Sequence, residues 1–298
     1  ARVNDASRKP RLRHERHEHL WRILRRRPDR FGFRESETRG GDDEWRWDDA
    51  EPRAHATGGD RPSESEGRQK GRPHLVAEAR RCAFVLGLEP CNTDGGAKTS
   101  RKGVGRVRLA VTGRAAHAGI DPERGVNAIE ELAAQILAVK ALADSAAGTS
   151  VHAGLVTGGV AKNVVPPEAT AEIDVRVATP QEWTRFEKAI GLLRPGNPEA
   201  GLRAEAVLTH PPMVRTPAVA ALHETARRAA GEVGFTLGEG GTGGGSDGSH
   251  CAALGIPVLD GLGVEGEGAH ALGERVRIDR LAPRAAFLAR LLETDEAP

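Results

Sequence analysis

The sequence predicts an α/β protein in which a compact β-α-β-β-α-β unit interrupts a second α/β domain. Apolar and polar side chains alternate strictly in several stretches between residues 104 and 210, which is typical of half-buried strands. Between them, apolar residues recur at helical spacing. A glycine-rich stretch then separates a helical pattern from a short apolar run near the end of the chain. We therefore place the insert at residues 104–213 and the interrupted domain at residues 73–103 and 214–298.

The insert has the pattern of a ferredoxin-like fold, which is one sheet covered by two helices. Strands are predicted in VGRVRLAVTGRA, TSVHAGLVTGG, ATAEIDVRVAT and LRAEAVLTH, and helices in NAIEELAAQILAVKALAD and PQEWTRFEKAIGLL. Ile173 and Val175 share one face of their strand. Trp183, Phe186 and Ile190 share one side of the second helix, which begins with a proline. These apolar faces predict a common core.

The flanking segments predict the interrupted domain. Before the insert come a short helix in HLVAEARRC, a buried strand in AFVLGLEP and a loop in CNTDGGAKTSRKG. After it come a helix that ends at Gly234, a glycine-rich loop that leads to a short helix within GEGGTGGGSDGSHCAALG, a strand in IPVLDGLG and an amphipathic terminal helix in IDRLAPRAAFLARLLE. A strand, loop and helix order of this kind is typical of an α/β layer.

Residues 1–72 predict a disordered or non-native segment, because they offer little apolar surface to offset the entropy of ordering. The stretch RLRHERHEHLWRILRRR fits one basic amphipathic helix, and its histidines lack the H-E-x-x-H register of a metal helix. The acidic stretch DDEWRWDD balances its charge, and no aromatic platform for base stacking is present. We therefore expect no nucleic-acid partner.

The composition of the chain argues against several other classes of partner. The formal net charge is +1, from 43 basic and 42 acidic residues, so the chain has no strong general attraction to anionic surfaces. It has no apolar run of about 18 residues, so no membrane partner is expected. The 3 cysteines form no C-x-x-C pair and fit reduced thiols. These features predict a cytoplasmic protein.

Two candidate metal ligands lie at the ends of predicted strands. Glu89 follows the strand of AFVLGLEP, at the edge where α/β domains build their sites. His270 lies in GEGAH, in a loop after the last predicted strand, and a neutral imidazole is a common zinc ligand. Taken alone, each residue is equally consistent with a solvated loop side chain.

A second group of candidates offers hydrogen-bond donors. His117 follows a strand among small neighbours and could stabilise an oxyanion, or be a surface histidine. Asn163 and Arg176, expected on adjacent strands, offer an amide and a planar fork that suit a carboxylate, although Arg176 could simply face solvent. The run containing Gly244, Gly245 and Ser246 lets backbone N–H groups approach a ligand, unless it is a flexible linker.

Five segments carry a resemblance to a known family. They are TGRAAHAGIDPERGVNAIEELA, NVVPPEATAEIDVR, GGTGGGSDG, AALGIPVLDGLG and GEGAH. In this order and spacing, they resemble the dinuclear-zinc metallopeptidases and amidohydrolases that include glutamate carboxypeptidase, aminoacylase, acetylornithine deacetylase and succinyl-diaminopimelate desuccinylase, and the glutamate carboxypeptidase branch above all. The resemblance covers roughly residues 75–297.

The resemblance implies a zinc-exopeptidase-like catalytic domain interrupted by a ferredoxin-like lid that forms a homodimer. It implies two zinc ions per subunit that acidify a bridging water, and hydrolysis of an amide next to a free carboxylate. Glu89 and His270 match metal ligands, and His117 matches the lid histidine that polarises the scissile carbonyl in the partner's site. The substrate carboxylate would be held by the matching lid and loop residues, namely Asn163, Arg176, Gly244, Gly245 and Ser246.

One departure keeps a second hypothesis open. The family's other ligands and its general base lie in an H-x-D-T-V string, a bridging aspartate and a D-E-E-x-G-S string, and residues 1–72 contain none of them. A catalytic zinc needs three protein ligands and a water. The catalytic α/β layer is therefore predicted to be partial, and the alternative function is that of a catalytically inactive, dimerising remnant.

Overall fold

A computed structural model describes the backbone of residues 64–268 and 271–294, with side chains from residue 72 onward. Most of the segment predicted to be disordered, the basic helical stretch within it and His270 lie outside these residues. The first described helix, α1 (Glu64–Ala79), begins well before the start expected at His74. It leads into the strand β1 (Val85–Leu86).

A four-stranded antiparallel sheet with two helices forms the centre of the chain, as predicted. Its elements are β3 (Gly103–Thr112), α2 (Ala128–Lys140), β4 (Ser150–Gly158), β5 (Glu168–Val177), α3 (Pro180–Gly191) and β6 (Gly201–His210). The strands lie in the order β4-β5-β3-β6 in the sheet. The chain enters through β3, and strands and helices follow one another in the ferredoxin-like order.

Alternation along the strands builds the core of this unit. Leu109 on β3 and Ile173 on β5 are almost fully buried, and the helices cover that same face of the sheet. Leu132 of α2 and Phe186 of α3 are buried against it. Each helix begins at a capping side chain, and the Thr179 hydroxyl accepts from the N–H of Glu182 at 3.3 Å. Local sequence therefore specifies this unit almost completely.

The remaining elements come from both sides of the insert and pair with one another. The strand β2 (Ala97–Arg101) precedes it. After it come α4 (Pro217–Glu232), β7 (Glu239–Thr242), α5 (Gly248–Ala252), β8 (Val258–Leu259), β9 (Gly266–Glu267), β10 (Arg275–Val276) and α6 (Leu281–Glu293). The pairs β1–β8 and β2–β7 are parallel, and β9–β10 is antiparallel. A bridge between Lys98 and Asp260 joins β2 to the end of β8.

Two of these strands lie where the sequence predicted loops. Residues 97–101 and 239–242 form β2 and β7, although both stretches were expected to be irregular. Their sequences, AKTSR and EGGT, contain small and polar residues with weak strand propensity. Each strand exists because the other supplies its backbone hydrogen-bond partners, and the buried positions of β2 include the polar residues Thr99 and Arg101.

The second core lies between α4, α6 and these short strands. It contains Leu222, Ala226, Leu259 and Phe287, and Phe235 stacks on Phe287 with ring centroids 5.6 Å apart. No helix in the described part of the chain is both long and apolar enough to cross a membrane.

Candidate functional site

A buried ion pair fixes the glycine-rich segment. Arg101 on β2 donates from Nε to Asp260 Oδ2 at 2.8 Å and from Nη1 to the carbonyl oxygen of Gly244 at 2.9 Å. The Ser246 hydroxyl donates to the same Asp260 oxygen at 2.6 Å, and the N–H of Gly261 donates to the other oxygen at 2.7 Å. Because both charges are buried and hydrogen-bonded, this network holds the loop rigidly. Sequence reasoning missed it, although an aspartate that ends a buried strand was a usable signal.

Arg176 of the insert reaches the same segment. Its Nε and Nη2 donate to the two carboxylate oxygens of Asp174, each at 2.8 Å, and its Nη1 donates to the carbonyl oxygen of Gly243 at 3.1 Å. The carboxylate therefore orients the guanidinium, and the third contact brings β5 against the glycine-rich segment. The structure thus places Arg176 beside Gly243, and the predicted binding of a substrate carboxylate by Arg176, Gly244 and Gly245 stays a prediction.

His117 is exposed, and one of its ring nitrogens accepts a hydrogen bond. Nδ1 accepts from the N–H of Gly119 at 3.1 Å, and the backbone N–H of His117 donates to Asp121 Oδ1 at 3.2 Å. An Nδ1 that accepts a hydrogen bond carries no proton, so the neutral ring carries its proton on Nε2. The side chain is thereby set to act as a hydrogen-bond donor through Nε2.

Asn163 lies beside His117, and its expected position on a strand was wrong. It sits in the turn between β4 and β5, and its carbonyl oxygen accepts from the N–H of Ala118 at 2.9 Å. A bridge between His117 and Val164 completes the contact between the two segments. The stretch NVVPP cannot continue a strand, because Pro166 and Pro167 lack the N–H that a ladder needs.

Glu89 lies just beyond β1, next to the end of β8. It is half-buried, and its backbone carbonyl oxygen accepts from the N–H of Gly263 at 2.9 Å. Nearby, Lys98 donates to the carbonyl oxygen of Pro90 at 2.7 Å, and burial together with the charge of Arg101 lowers the pKa of Lys98. Since His270 lies outside the described residues, the pairing of Glu89 with His270 around a metal stays a prediction.

The three loop residues predicted to bind substrate have different surroundings. Gly244 is exposed, and Ser246 is buried with its hydroxyl bound to Asp260. A Cβ on Gly245 would lie 2.8 Å from Val104 Cγ2 and 3.1 Å from the Cγ atom of His210, so only glycine fits there. These contacts fix the shape of the loop, and its role in binding a substrate stays a prediction.

A cluster that the sequence did not predict lies on the other side of Gly245. His210 ends β6, while Asp247 and His250 lie at and within α5, and each offers one ligand atom within 4.8 Å of the other two. The two imidazole rings are 5.2 Å apart between centroids. Burial, followed by the positive charges of Arg72 and His210, lowers the pKa of His250 to about 4. The only sequence signal was the short polar run SDGSH.

Cys251, next to this cluster, is unsuited to nucleophilic chemistry. Its side chain is fully buried, and burial raises the pKa of the thiol to about 11. A thiol that stays protonated at neutral pH is a poor nucleophile. The residue packs instead with Ala79, Met213 and Val258 in a small apolar cluster.

Comparisons with known proteins match this arrangement. The model of the M20 peptidase dimerisation domain matches residues 99–192, which is most of the central sheet and both of its helices. Carboxypeptidase G2 of Pseudomonas sp. (strain RS-16) is 30% identical over 234 residues, which cover 77% of this chain and 56% of that protein.

The chain belongs to the M20 metallopeptidase and amidohydrolase family, and it is glutamate carboxypeptidase-like.

Solved structures share this fold. The aminopeptidase PepT of Bacillus cereus aligns with a TM-score of 0.59 and 24% identity, covering 75% of this chain and 62% of that one. The YXEP protein of Bacillus subtilis, described as a dinuclear metal binding peptidase, aligns with a TM-score of 0.50 and 18% identity, covering 69% of this chain and 55% of that one. The chain spans about half the length of the first curated relatives that it matches.

Proposed function

We propose that this protein is a zinc-dependent hydrolase that cleaves an amide bond next to a free carboxylate. The observation that carries the proposal is the contact between Arg176 and the carbonyl oxygen of Gly243 at 3.1 Å. It places a planar, permanently charged fork against a loop rich in backbone N–H groups. An anionic group of a substrate is the ligand that such a juxtaposition suits.

The carboxylate of the substrate would bind at Arg176 Nη1. Asp174 holds the guanidinium in place through two hydrogen bonds of 2.8 Å, so the side chain loses little entropy when a ligand arrives. The carboxylate of the substrate would replace the Gly243 carbonyl oxygen as the acceptor of the hydrogen bond from Nη1. It would also accept hydrogen bonds from the backbone N–H groups of Gly244 and Gly245. The amide of Asn163 would add a donor, as the resemblance implies.

His117 would act on the scissile carbonyl. A proton on Nε2 lets the ring donate to an oxygen that gains negative charge during amide hydrolysis. The short turn from His117 to Asp121, with hydrogen bonds at both residues, holds the ring in one orientation. As the resemblance implies, this histidine would act in the active site of the partner subunit, so the proposal requires a dimer.

The lid, taken as residues 104–213, would form that homodimer through β4. This strand lies at the edge of the sheet, and Leu155 and Val156 on it are 64% and 57% exposed. Leu137 of the neighbouring α2 is 70% exposed. An open edge strand beside exposed apolar side chains is a ready surface for strand pairing, which would bury both.

The described residues do not by themselves complete the metal centre that the family implies. Glu89 belongs to no group of three or more potential ligands within residues 72–268 and 271–294, and His270 lies outside these residues. When bound, the zinc ions would supply an activated water. The roles given above to Arg176, Asn163 and His117 are those of this chain's own side chains.

A pair of matched substrates tests the proposal. An N-acyl glutamate and the same compound with its α-carboxylate converted to an amide are incubated with the zinc-loaded chain. The expected result is that the compound with the free α-carboxylate is hydrolysed, whereas its amide counterpart is hydrolysed slowly or not at all. Equal hydrolysis of both, or no hydrolysis by a chain that holds zinc at Glu89, would contradict the proposal.

The alternative function is that of a dimerising protein without catalytic activity. The observation that favours it is the absence of further ligands around Glu89 within the described residues. Zinc content separates the two functions, because the hydrolase requires about two zinc ions per subunit that depend on Glu89 and His270. A dimer whose zinc content is unchanged in the Glu89→Ala variant, and which hydrolyses neither substrate, would establish the alternative.

A further inference from the structure

We propose that His210, Asp247 and His250 form a binding site for a divalent transition-metal ion of the zinc type. These three residues are different from Glu89 and His270, the metal ligands that the family resemblance implies. Two imidazoles and one carboxylate are a ligand set that zinc, cobalt and nickel ions accept. No other group of three potential ligands within coordination distance occurs among the side chains of residues 72–268 and 271–294.

The spacing of the three side chains suits one ion. Their ligand atoms lie within 4.8 Å of one another. In a tetrahedral zinc site, two ligand atoms that each lie about 2.1 Å from the ion are about 3.4 Å apart. Side-chain rotations that close any longer separation, by up to about 1.4 Å, would therefore complete the coordination. The fourth position would be taken by water.

His250 supplies an independent reason to place a ligand here. Its side chain is 8% exposed, and its Nε2 atom is buried without a hydrogen-bond partner in the described part of the chain. A buried polar atom that makes no hydrogen bond is costly, and native proteins rarely keep one. His210 and Asp247 lie beside the same ring, since the two imidazoles are 5.2 Å apart and the ligand atoms of all three residues lie within 4.8 Å of one another. A metal ion bound by all three side chains would give the buried Nε2 atom of His250 a partner.

The backbone around the cluster is held in place before any ion binds. A Cβ on Gly245 would lie 3.1 Å from His210 Cγ, so the loop packs directly on that ring. The Thr209 hydroxyl lies 3.3 Å from His210 Nδ1, and the N–H of His250 donates to the carbonyl oxygen of Asp247 at 3.0 Å. The ligands are thus set on a strand end and a helix rather than on a free loop.

The position of the site gives the ion a structural role. His210 is the last residue of β6, whereas Asp247 and His250 belong to the segment that leads into β8. An ion bound by all three would cross-link the end of the central sheet to the glycine-rich segment. The guanidinium charge of Arg72 also acts on His250 and opposes a cation there, so the affinity should be lower than that of a fully acidic site.

Cobalt binding in variants of the full chain tests the site. The background variant carries Glu89→Ala and His270→Ala, which remove the predicted family ligands. Cobalt(II) alone is titrated into it and followed by visible absorption and by calorimetry. The expected result is one equivalent of cobalt with the intense bands of a four-coordinate ion, which zinc displaces. The absence of any such equivalent in the folded background variant would overturn the proposal.

Removal of single ligands locates the ion. In the same background, His250→Asn, His210→Asn and Asp247→Asn should each abolish the bands or weaken binding by at least about tenfold. The matched control is His152→Asn, an exposed histidine on β4. If circular dichroism shows that His250→Asn does not fold, the variants of the two partly exposed ligands, His210→Asn and Asp247→Asn, locate the ion. Cobalt binding that persists unchanged in the folded ligand variants would place the ion elsewhere and overturn the assignment.

Discussion

Arg101 and Asp260 form a buried ion pair of 2.8 Å, although 159 residues separate them in the chain. The pair joins β2, which precedes the central sheet, to the end of β8, which follows it. It also fixes the glycine-rich segment through Gly244 and Ser246. The two flanking pieces of the chain therefore depend on each other for their structure.

Asp260→Asn should strongly destabilise the protein. The substitution leaves the Arg101 guanidinium buried without its counter-charge, and loss of one partner of a buried pair costs about 3–5 kcal/mol. Urea unfolding followed by circular dichroism measures the change. Glu224→Gln is the control, because it removes an equally short but exposed ion pair with Arg227 and should leave the midpoint unchanged. Similar midpoints for both variants would show that the buried pair does not hold the two pieces together.

The central sheet could be predicted from the sequence because its information is local. Alternation placed Ile173 in the core, and helical spacing placed Phe186 there, without knowledge of any distant contact. The strands β2 and β7 could not be predicted in this way, because each depends on a partner far along the chain. The same reason hid the cluster of His210 and His250, since neither residue has a distinctive local pattern.

Among the candidate site residues, the structure brings Arg176 to the glycine-rich segment, and it brings His117 next to Asn163, which the sequence did not lead us to expect. The roles of these residues in binding and catalysis stay predictions. Asn163 was expected on a strand beside that of Arg176, although it lies between the two predicted strands TSVHAGLVTGG and ATAEIDVRVAT, and the chain turns there. The contact of Ser246 with Asp260 could not be predicted, because it depends on how two loops pack.

Glu131→Gln should destabilise the lid in a pH-dependent way. Burial raises the pKa of this carboxyl, but hydrogen bonds from Gln135 and from the N–H groups of Asn197 and Gly196 outweigh burial, so the pKa lies below its ordinary value. A lowered pKa in the folded state contributes stability above the unfolded pKa of about 4.3 and loses it as the pH falls through the folded value. The variant should therefore be less stable at neutral pH, by about 1–3 kcal/mol.

Urea unfolding at neutral and at acidic pH measures this difference. The gap between the native protein and Glu131→Gln should shrink as the pH falls below about 4. Glu130→Gln is the matched control, because Glu130 is the exposed neighbour on the same helix. A gap that stays constant over the whole pH range would mean that the ionised carboxylate is not what stabilises the turn at Gly196 and Asn197.

Leu155→Arg should convert the dimer into a monomer. The substitution places a charge on the edge strand β4, where the proposed interface would have to bury it. Sedimentation velocity measures the change. Val207→Arg is the control, because Val207 is also exposed but lies on β6, the opposite edge of the sheet. A native chain that sediments as a monomer, or a dimer that Leu155→Arg leaves intact, would contradict the proposed interface.

Gly245→Ala should destabilise the protein, whereas Gly231→Ala should stabilise it slightly. The first Cβ would meet Val104 Cγ2 at 2.8 Å, and overpacking of this kind costs about 1–3 kcal/mol. The second Cβ would meet nothing within 4 Å on α4, where alanine is favoured over glycine by about 0.5–1 kcal/mol. Thermal unfolding of both variants measures the difference. Shifts of the same sign would contradict the described packing of the loop on His210.

The role of Arg176 is tested most directly by the kinetics of Arg176→Met with the N-acyl glutamate and its amide counterpart. Loss of the charged fork should lower kcat/KM for the carboxylate by about a hundredfold and leave any rate with the amide unchanged. Arg203→Met, which removes an arginine that is 83% exposed on β6, should leave both rates as they are. An Arg176→Met variant that is folded and dimeric but still prefers the carboxylate as strongly as the native protein would contradict the account.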